Sequence, residues 1–328
     1  MALRDFLIRR LITGFITLMF VLVLNFFIFW LMPGDPVMLL VAGNPWLKEE
    51  RKNALIHELG LDRPLHEQLL MYFKNVFTMN FGISFVHNRP VSELIFEALP
   101  YTLVLLVPAV IGAIWLGMKL GAISAWEYGS KFDVSTLVIA LVFYSMPVFW
   151  LGMFMILVFG YWLKWFPVAG VLSEKWLSME PWQDPIGFVL DVIWHMVLPV
   201  VTLILYLFGG YYLIMRNTML DTLMEDYIIT AKAKGCPDDV IIYKHARRNA
   251  MLPMITIIAL AIAGIFSGAV LTETIFSWPG MGRLIFEATL HQDFPVLWGT
   301  FTVMAILVVI ANIIADIIYA FLDPRIRY

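Results

Sequence analysis

Apolar residues run almost unbroken for about twenty positions at a time along most of this chain, and short polar stretches separate the runs. A bilayer core about 30 Å thick needs roughly twenty helical residues to cross it. Six segments meet that length, at about Leu11–Met32, Leu99–Ile123, Leu137–Leu163, Ile193–Met215, Met251–Leu271 and Val296–Phe321. The runs do not alternate with a period of two, as the roughly ten-residue segments of a membrane barrel do. Only helices and closed barrels satisfy every backbone polar group in lipid. The pattern therefore predicts an all-α polytopic membrane protein with six transmembrane helices. The first run begins like a signal peptide, but it is too long for a typical h-region and no small-residue cleavage site follows. It reads as a retained first span.

Residues 33–98 separate the first two runs and read as an extracytoplasmic insertion between a first segment, 1–32, and a core, 99–328. In the insertion, KEERKNALIHEL reads as a helix stopping at Gly60, a residue suited to a C-cap. Pro64 opens a second helix with Leu65, Leu69, Tyr72, Phe73 and Val76 on one face. A third, short helix starts near Pro90 and runs toward span two, with Pro100 at the elbow. The insertion serves either as an amphipathic flap on the membrane or as an external lid or docking surface.

Charge sets the orientation. With the N-terminus inside, the inner segments carry Arg4, Arg9, Arg10, Lys119, Lys131, Arg216, Lys232, Lys234, Lys244, Arg247, Arg248, Arg325 and Arg327. The two shorter outer loops carry only Lys164, Lys175 and Arg283. Basic residues in short loops stay cytoplasmic, and a loop as long as 33–98 crosses largely regardless of its charge. Both termini are expected in the cytoplasm. Composition agrees with a membrane fold, since 61% of residues are hydrophobic and 14% charged, against about 25% charged in soluble domains. A net charge of −3 offers nucleic acid no whole-chain attraction. Cys236, the single cysteine, excludes an internal disulfide framework.

Inside the spans, Gly117-x-x-x-Gly121 and Gly264-x-x-x-Gly268 read as small-residue faces for close helix approach. In span six, Asn312, Asp316 and Tyr319 fall at i, i+4 and i+7 and form one polar stripe. A carboxylate at the bilayer centre costs on the order of 3 kcal/mol, and Asp316 lies nearer the cytoplasmic end. It either lines a permeation path or ties the helix end to a neighbouring chain, and the structural role is favoured. No other charged residue stands deep in a span, which weighs against a proton-coupled carrier. Enzyme chemistry has little support: His57, His66, His87, His195, His245 and His291 lack metal-ligand spacing, and no phosphate-binding G-x-x-x-x-G-K-[ST] loop occurs.

Between the fourth and fifth spans lies a polar island, DYIITAKAKGCPDDVIIYKHARRNAMLP, from Asp226 to Pro253. Asp226–Lys234 and Asp239–Ala250 read as two helices broken at Gly235-Cys236-Pro237, with Asp238 suited to cap the second. Ala231 and Ala233 are small enough for a partner surface to approach, and the flanking basic residues supply positive charge. Such a hairpin either binds anionic lipid or docks a protein.

DYIITAKAKG followed by HARRNAMLP resembles the signature loop of the permeases of ABC importers, in the form found in the dipeptide and oligopeptide branch. The general form of the motif opens Glu-Ala-Ala where Ile229-Thr230-Ala231 stands here, a departure typical of that branch. The resemblance extends in order along the chain through GDPV, GLDRPLHEQ, FGISF, RPVSELI, FYSMPVFWLG, HMVLPVVTL, ETIFSWPGMGRL and DPRIRY.

The resemblance implies a type I importer permease in a prokaryotic cell membrane, half of a heterodimeric pore with a second permease. Two cytoplasmic ATPases would carry the ATP and Mg, so that this chain binds no cofactor, and an extracytoplasmic protein would deliver substrate to the scoop-like outer insertion. Within the cytoplasmic loop 216–250, Thr230, Ala231, Lys232, Ala233, Lys234, Gly235, Cys236, Pro237 and Asp238 would form the helix that docks on an ATPase. Gly235 would let the chain turn. Ser145, Met146 and Pro147 would shape the path, together with Asn312 and Asp316, and the Thr272–Leu284 loop with Glu273, Pro279, Gly280 and Gly282 would help form the outer gate. Peptides are the leading substrate class, ahead of oligosaccharides and nickel chelates. An autonomous secondary carrier is the more distant alternative.

Overall fold

The computed structural model describes residues 3–31, 63–266 and 268–322. GDPV, the helix expected to stop at Gly60 and the closing DPRIRY lie outside the described residues. Among the described residues the regular structure is helical, joined by turns and loops, apart from an isolated bridge between Ile83 and Pro90. Helix α1 covers Leu3–Leu31. Helix α2, Leu65–Phe77, starts after Pro64 as its sequence demands, and its apolar face lies inward with Tyr72 and Val76 buried.

Helices α3 (Val91–Trp126) and α6 (Pro185–Leu223) have 36 and 39 residues. At 1.5 Å per residue they are about 54 and 58 Å long, well beyond a 30 Å bilayer core. They lie against each other through Gly117 and Gly121. A Cβ on Gly117 would stand 2.8 Å from the Phe208 carbonyl oxygen, and one on Gly121 2.7 Å from that of Tyr212. The elbow expected at Pro100 is absent, because Pro100 and Pro108 both sit inside a continuous helix. The first turns of α3 are held in line by burial of Val91, Leu94, Ile95 and Ala98 in a cluster shared with Leu22, Tyr72 and Val296.

The third span is broken. Helix α4 (Lys131–Ser145) and helix α5 (Val148–Met155, continuing in π geometry through Ile156–Trp162) meet at 104° rather than forming one rod over Leu137–Leu163. Pro147 lacks an N–H and biases the residue before it toward extended geometry, and Met146 sits at φ −72°, ψ 135°.

Helix α7 covers Asp226–Ala233 and helix α8 Asp238–Ile265, so the second half of the polar island is the start of span five rather than a separate helix. Span five stops at Ile265 instead of reaching Leu271, and Gly268 takes φ 73° in the break. Gly264 is exposed, and a Cβ there would meet nothing within 4 Å, so the expected helix face at Gly264 and Gly268 does not form; Gly268, in the break, instead approaches Gly282, whose N a Cβ would meet at 3.2 Å. Two short helices follow, α9 (Val270–Ile275) and α10 (Met281–Leu290), and then α11 (Phe294–Leu322).

Candidate functional site

The residues singled out in the sequence fall at three places. On α7, Ile228 and Ala231 are buried, while Thr230, Lys232, Ala233 and Lys234 are exposed. The helix ends in a Schellman turn: Gly235 N–H donates to the Lys232 carbonyl at 3.0 Å and Cys236 N–H to that of Ala231 at 3.2 Å. Gly235 takes φ 75°, in the left-handed region that favours glycine. Cys236 is half-buried, and Pro237 and Asp238 are exposed. Two expectations need correction. Ala231 offers no surface to a partner, because it lies one helical turn from Ile228 and faces the chain's own core. Pro237, not Asp238, stands at the N-cap of α8 without a side-chain hydrogen bond. Asp238 sits in the first turn, where the helix dipole favours a carboxylate.

At a second place the structure brings the broken span and the α9–α10 hairpin together. Phe276, at the end of α9, shares an apolar cluster with Leu151, Met155 and Leu198, and Met146 packs against that cluster. Ser145 and Pro147 are exposed beside it. The hairpin is organised by Glu273, which is fully buried. Its carboxylate accepts from the Thr102 hydroxyl of α3 at 2.9 Å, from Arg283 N–H at 3.0 Å and from Ala269 N–H at 3.3 Å. Burial pushes this carboxyl above the usual range, against the pull of the Arg283 N–H and the Thr102 hydroxyl. Thr102 Oγ1 also accepts from Met281 N–H at 2.7 Å, and Trp278 Nε1 donates to the Tyr101 carbonyl at 2.8 Å. Gly280 and Gly282 are buried against the Glu273 carboxylate, where a Cβ would collide, and Pro279 is exposed at the tip.

Asn312 and Asp316 lie elsewhere, toward the far end of α11. Arg10 Nη2 donates to the Asp316 carboxylate at 2.6 Å, so Asp316 ties α11 to α1 of the same chain. Asn312 is half-buried. The side chain of Tyr319 lies outside the described residues.

Two buried acidic groups escaped the sequence reading. Asp293 accepts from the Ser84 hydroxyl at 2.5 Å and from the N–H groups of Phe85 and Val86 at 3.2 and 3.1 Å, closing the turn before α3 onto the start of α11. Asp133 and Arg216 form a buried ion pair between α4 and α6. Arg216 is therefore not a loop charge but a buried residue near the end of α6, and Asp133 stands in the first turn of α4, so the pair lies at the ends of the spans rather than deep within them. The legible signal was Ser130-x-x-Asp133, whose Ser130 hydroxyl accepts from Asp133 N–H and caps α4.

Comparison with known proteins agrees with this architecture end to end. Residues 117–328 match the family described as binding-protein-dependent transport system inner membrane component, and residues 3–106 match its N-terminal companion. The dipeptide transport system permease protein of Escherichia coli is 37% identical over 99% of this chain and 99% of its own length. The oligopeptide transport system permease protein AppB of Bacillus subtilis is 36% identical over 98% of this chain and 99% of its own. The di/tripeptide transport system permease protein of Pseudomonas aeruginosa is 36% identical over 99% of each chain.

Proposed function

The chain belongs to the binding-protein-dependent transport system inner membrane component family, and on that premise we propose that it is one of two pore-forming permeases of an ATP-driven importer of dipeptides or oligopeptides. One observation carries the substrate class: end-to-end similarity, at 36–37% identity, to permeases named for dipeptide and oligopeptide transport. In this reading ATP and Mg belong to two cytoplasmic partner ATPases, and a second, related permease completes the pore. An extracytoplasmic binding protein delivers the peptide to the outer face formed by α2 and the outer end of α3.

The exposed side of α7, with Thr230, Lys232, Ala233 and Lys234, is the docking surface for an ATPase, and the Gly235 turn fixes how α7 meets α8. The buried side, Ile228 and Ala231, passes displacement into α3 and α6. The Glu273 hairpin is the outer gate, and the break at Ser145–Pro147 beside it shapes the path. Both termini are cytoplasmic. Inward-open and outward-open forms are two states of one equilibrium, biased by ATP binding. Reversing a 1:99 population to 99:1 requires a differential affinity of about 5.5 kcal/mol.

The test is a mild-detergent pull-down from the native membrane through a tag after Tyr328, followed by reconstitution with the recovered chains. Recovery of a second permease and of ATPases, with ATP-dependent accumulation of a labelled peptide, supports the proposal. Recovery of this chain alone as an oligomer that transports without ATP overturns it, and accumulation of an oligosaccharide in place of peptide overturns the substrate class. Met146→Trp tests the path separately: unchanged uptake removes Met146 from it.

A further inference from the structure

Asp133 and Arg216 are buried, and nothing in the gate or on the docking face of α7 uses them. Arg216 Nε and Nη2 each donate to a different carboxylate oxygen of Asp133 at 2.7 Å. The Ser124 hydroxyl donates to the same carboxylate at 2.7 Å and Gly129 N–H at 3.0 Å. The Tyr212 hydroxyl lies 2.6 Å from Ser124 Oγ, and the Tyr128 ring covers the guanidinium with its centroid at 5.4 Å. One carboxylate thus ties together the end of α3, the α3–α4 turn, the start of α4 and the inner part of α6.

Helix α7 touches the same corner. Ile228 and Ala231 share an apolar cluster with Ala122, Ala125, Met215 and Met219. The Lys232 ammonium stands 5.5 Å from the ring centroid of Trp126, two residues beyond Ser124. A displacement of α7 therefore reaches the end of α3 at Trp126. Whether α4 and α6 follow depends on a connection that does not slip. Methionine contacts repack readily. A bidentate guanidinium–carboxylate pair instead fixes relative orientation as well as distance. A buried pair is a poor source of stability, because desolvation offsets its attraction, so its geometric role is the more informative one.

We infer that Asp133 and Arg216, supported by Ser124 and Tyr212, are positioning residues that make α3, α4 and α6 answer α7 as one body. The broken span is the continuation of α4, so this body carries a wall of the path with it. The inference rests on the importer reading above and adds to it the residues that convert ATP turnover into transport.

The experiment uses the assembled complex in proteoliposomes and measures accumulation of a labelled pool of di- and tripeptides per ATP hydrolysed. Arg216→Lys keeps the charge but loses the planar fork. Tyr212→Phe removes one hydroxyl from the far side of Ser124. Weakening a charged hydrogen bond is expected to lower transport per ATP about tenfold in Arg216→Lys, and loss of a neutral one about threefold in Tyr212→Phe. ATP hydrolysis itself is expected to stay near the parent rate in both. An unchanged ratio, or a fall of uptake and hydrolysis in equal proportion, overturns the inference. Where Arg216→Lys does not assemble, Tyr212→Phe decides alone. A parent complex that accumulates no peptide with ATP overturns the importer reading instead.

Discussion

Gly117 and Gly264, each the first glycine of a G-x-x-x-G pair, occupy opposite environments, and alanine at each separates them. At Gly117 a Cβ would lie 2.7 Å from Tyr211 Cβ, 2.8 Å from the Phe208 carbonyl oxygen and 2.8 Å from Tyr212 N. Carbon atoms in contact prefer about 3.5–4.0 Å, and two of the three neighbours are backbone atoms that no rotamer change can move. Helices α3 and α6 must therefore part, and overpacking of this kind costs about 1–3 kcal/mol. At Gly264 a Cβ meets nothing within 4 Å, so Gly264→Ala is expected to stay within about 0.5 kcal/mol of the parent. The measurement is thermal unfolding of the single chain in mild detergent, with Gly117→Ala, Gly264→Ala and the parent side by side. Gly117→Ala is expected to melt clearly earlier and Gly264→Ala with the parent. Equal melting of Gly117→Ala and the parent, or an equal loss in both variants, would refute the close approach of α3 and α6 at Gly117 and the openness of Gly264.

Glu273→Ala leaves the Thr102 hydroxyl and the N–H groups of Arg283 and Ala269 without their acceptor. At about 1–3 kcal/mol for each buried group left unpaired, the melting temperature should fall well below the parent, with Glu273→Gln between the two. A melt of Glu273→Ala indistinguishable from the parent would mean that the hairpin is held by other contacts. Asp316→Asn breaks a part-exposed pair with Arg10, of the kind that contributes about 0–1 kcal/mol. Stability and ATP-driven uptake should both remain near parent levels, and loss of uptake in a normally folded Asp316→Asn would return Asp316 to the path. Gly235→Arg forces a side chain into left-handed geometry at a cost of about 1–2 kcal/mol, on an exposed turn with open space around it. The chain should insert in normal amount while ATP-driven uptake disappears, and normal uptake would sink the docking assignment.

The number and order of spans were legible because burying twenty backbone amides in lipid demands a continuous apolar helix. Where a helix bends was not. Pro100, Pro108, Pro199 and Pro253 all lie inside continuous helices, whereas Pro147 coincides with a 104° bend. The residue type is the same, so the difference lies in what receives the chain afterwards. Beyond Pro147, Gly152 faces Phe276 and Ile275 of the hairpin and Thr202 of α6, all in ordinary contact. Those partners come from distant parts of the sequence, and hydropathy carries no record of them. The end of α7 was easier to read, because Gly235 and its neighbours satisfy the last carbonyls within a few residues.

Asp133 and Arg216 mark the limit of what a linear reading can find. They are 83 residues apart, and each looks like an ordinary cytoplasmic charge beside a span. What makes them a pair is the close approach of α3 and α6 at Gly117 and Gly121, which carries Tyr212 and Arg216 to the end of α3 beside the cap of α4. Burying either charge alone would cost several kcal/mol. Two opposite charges at matching depths of neighbouring spans must therefore meet once the helices pack. A basic residue near the end of one span and a capping aspartate at the start of another were both visible in the sequence. Read together with depth, they predict the contact that hydropathy alone hides.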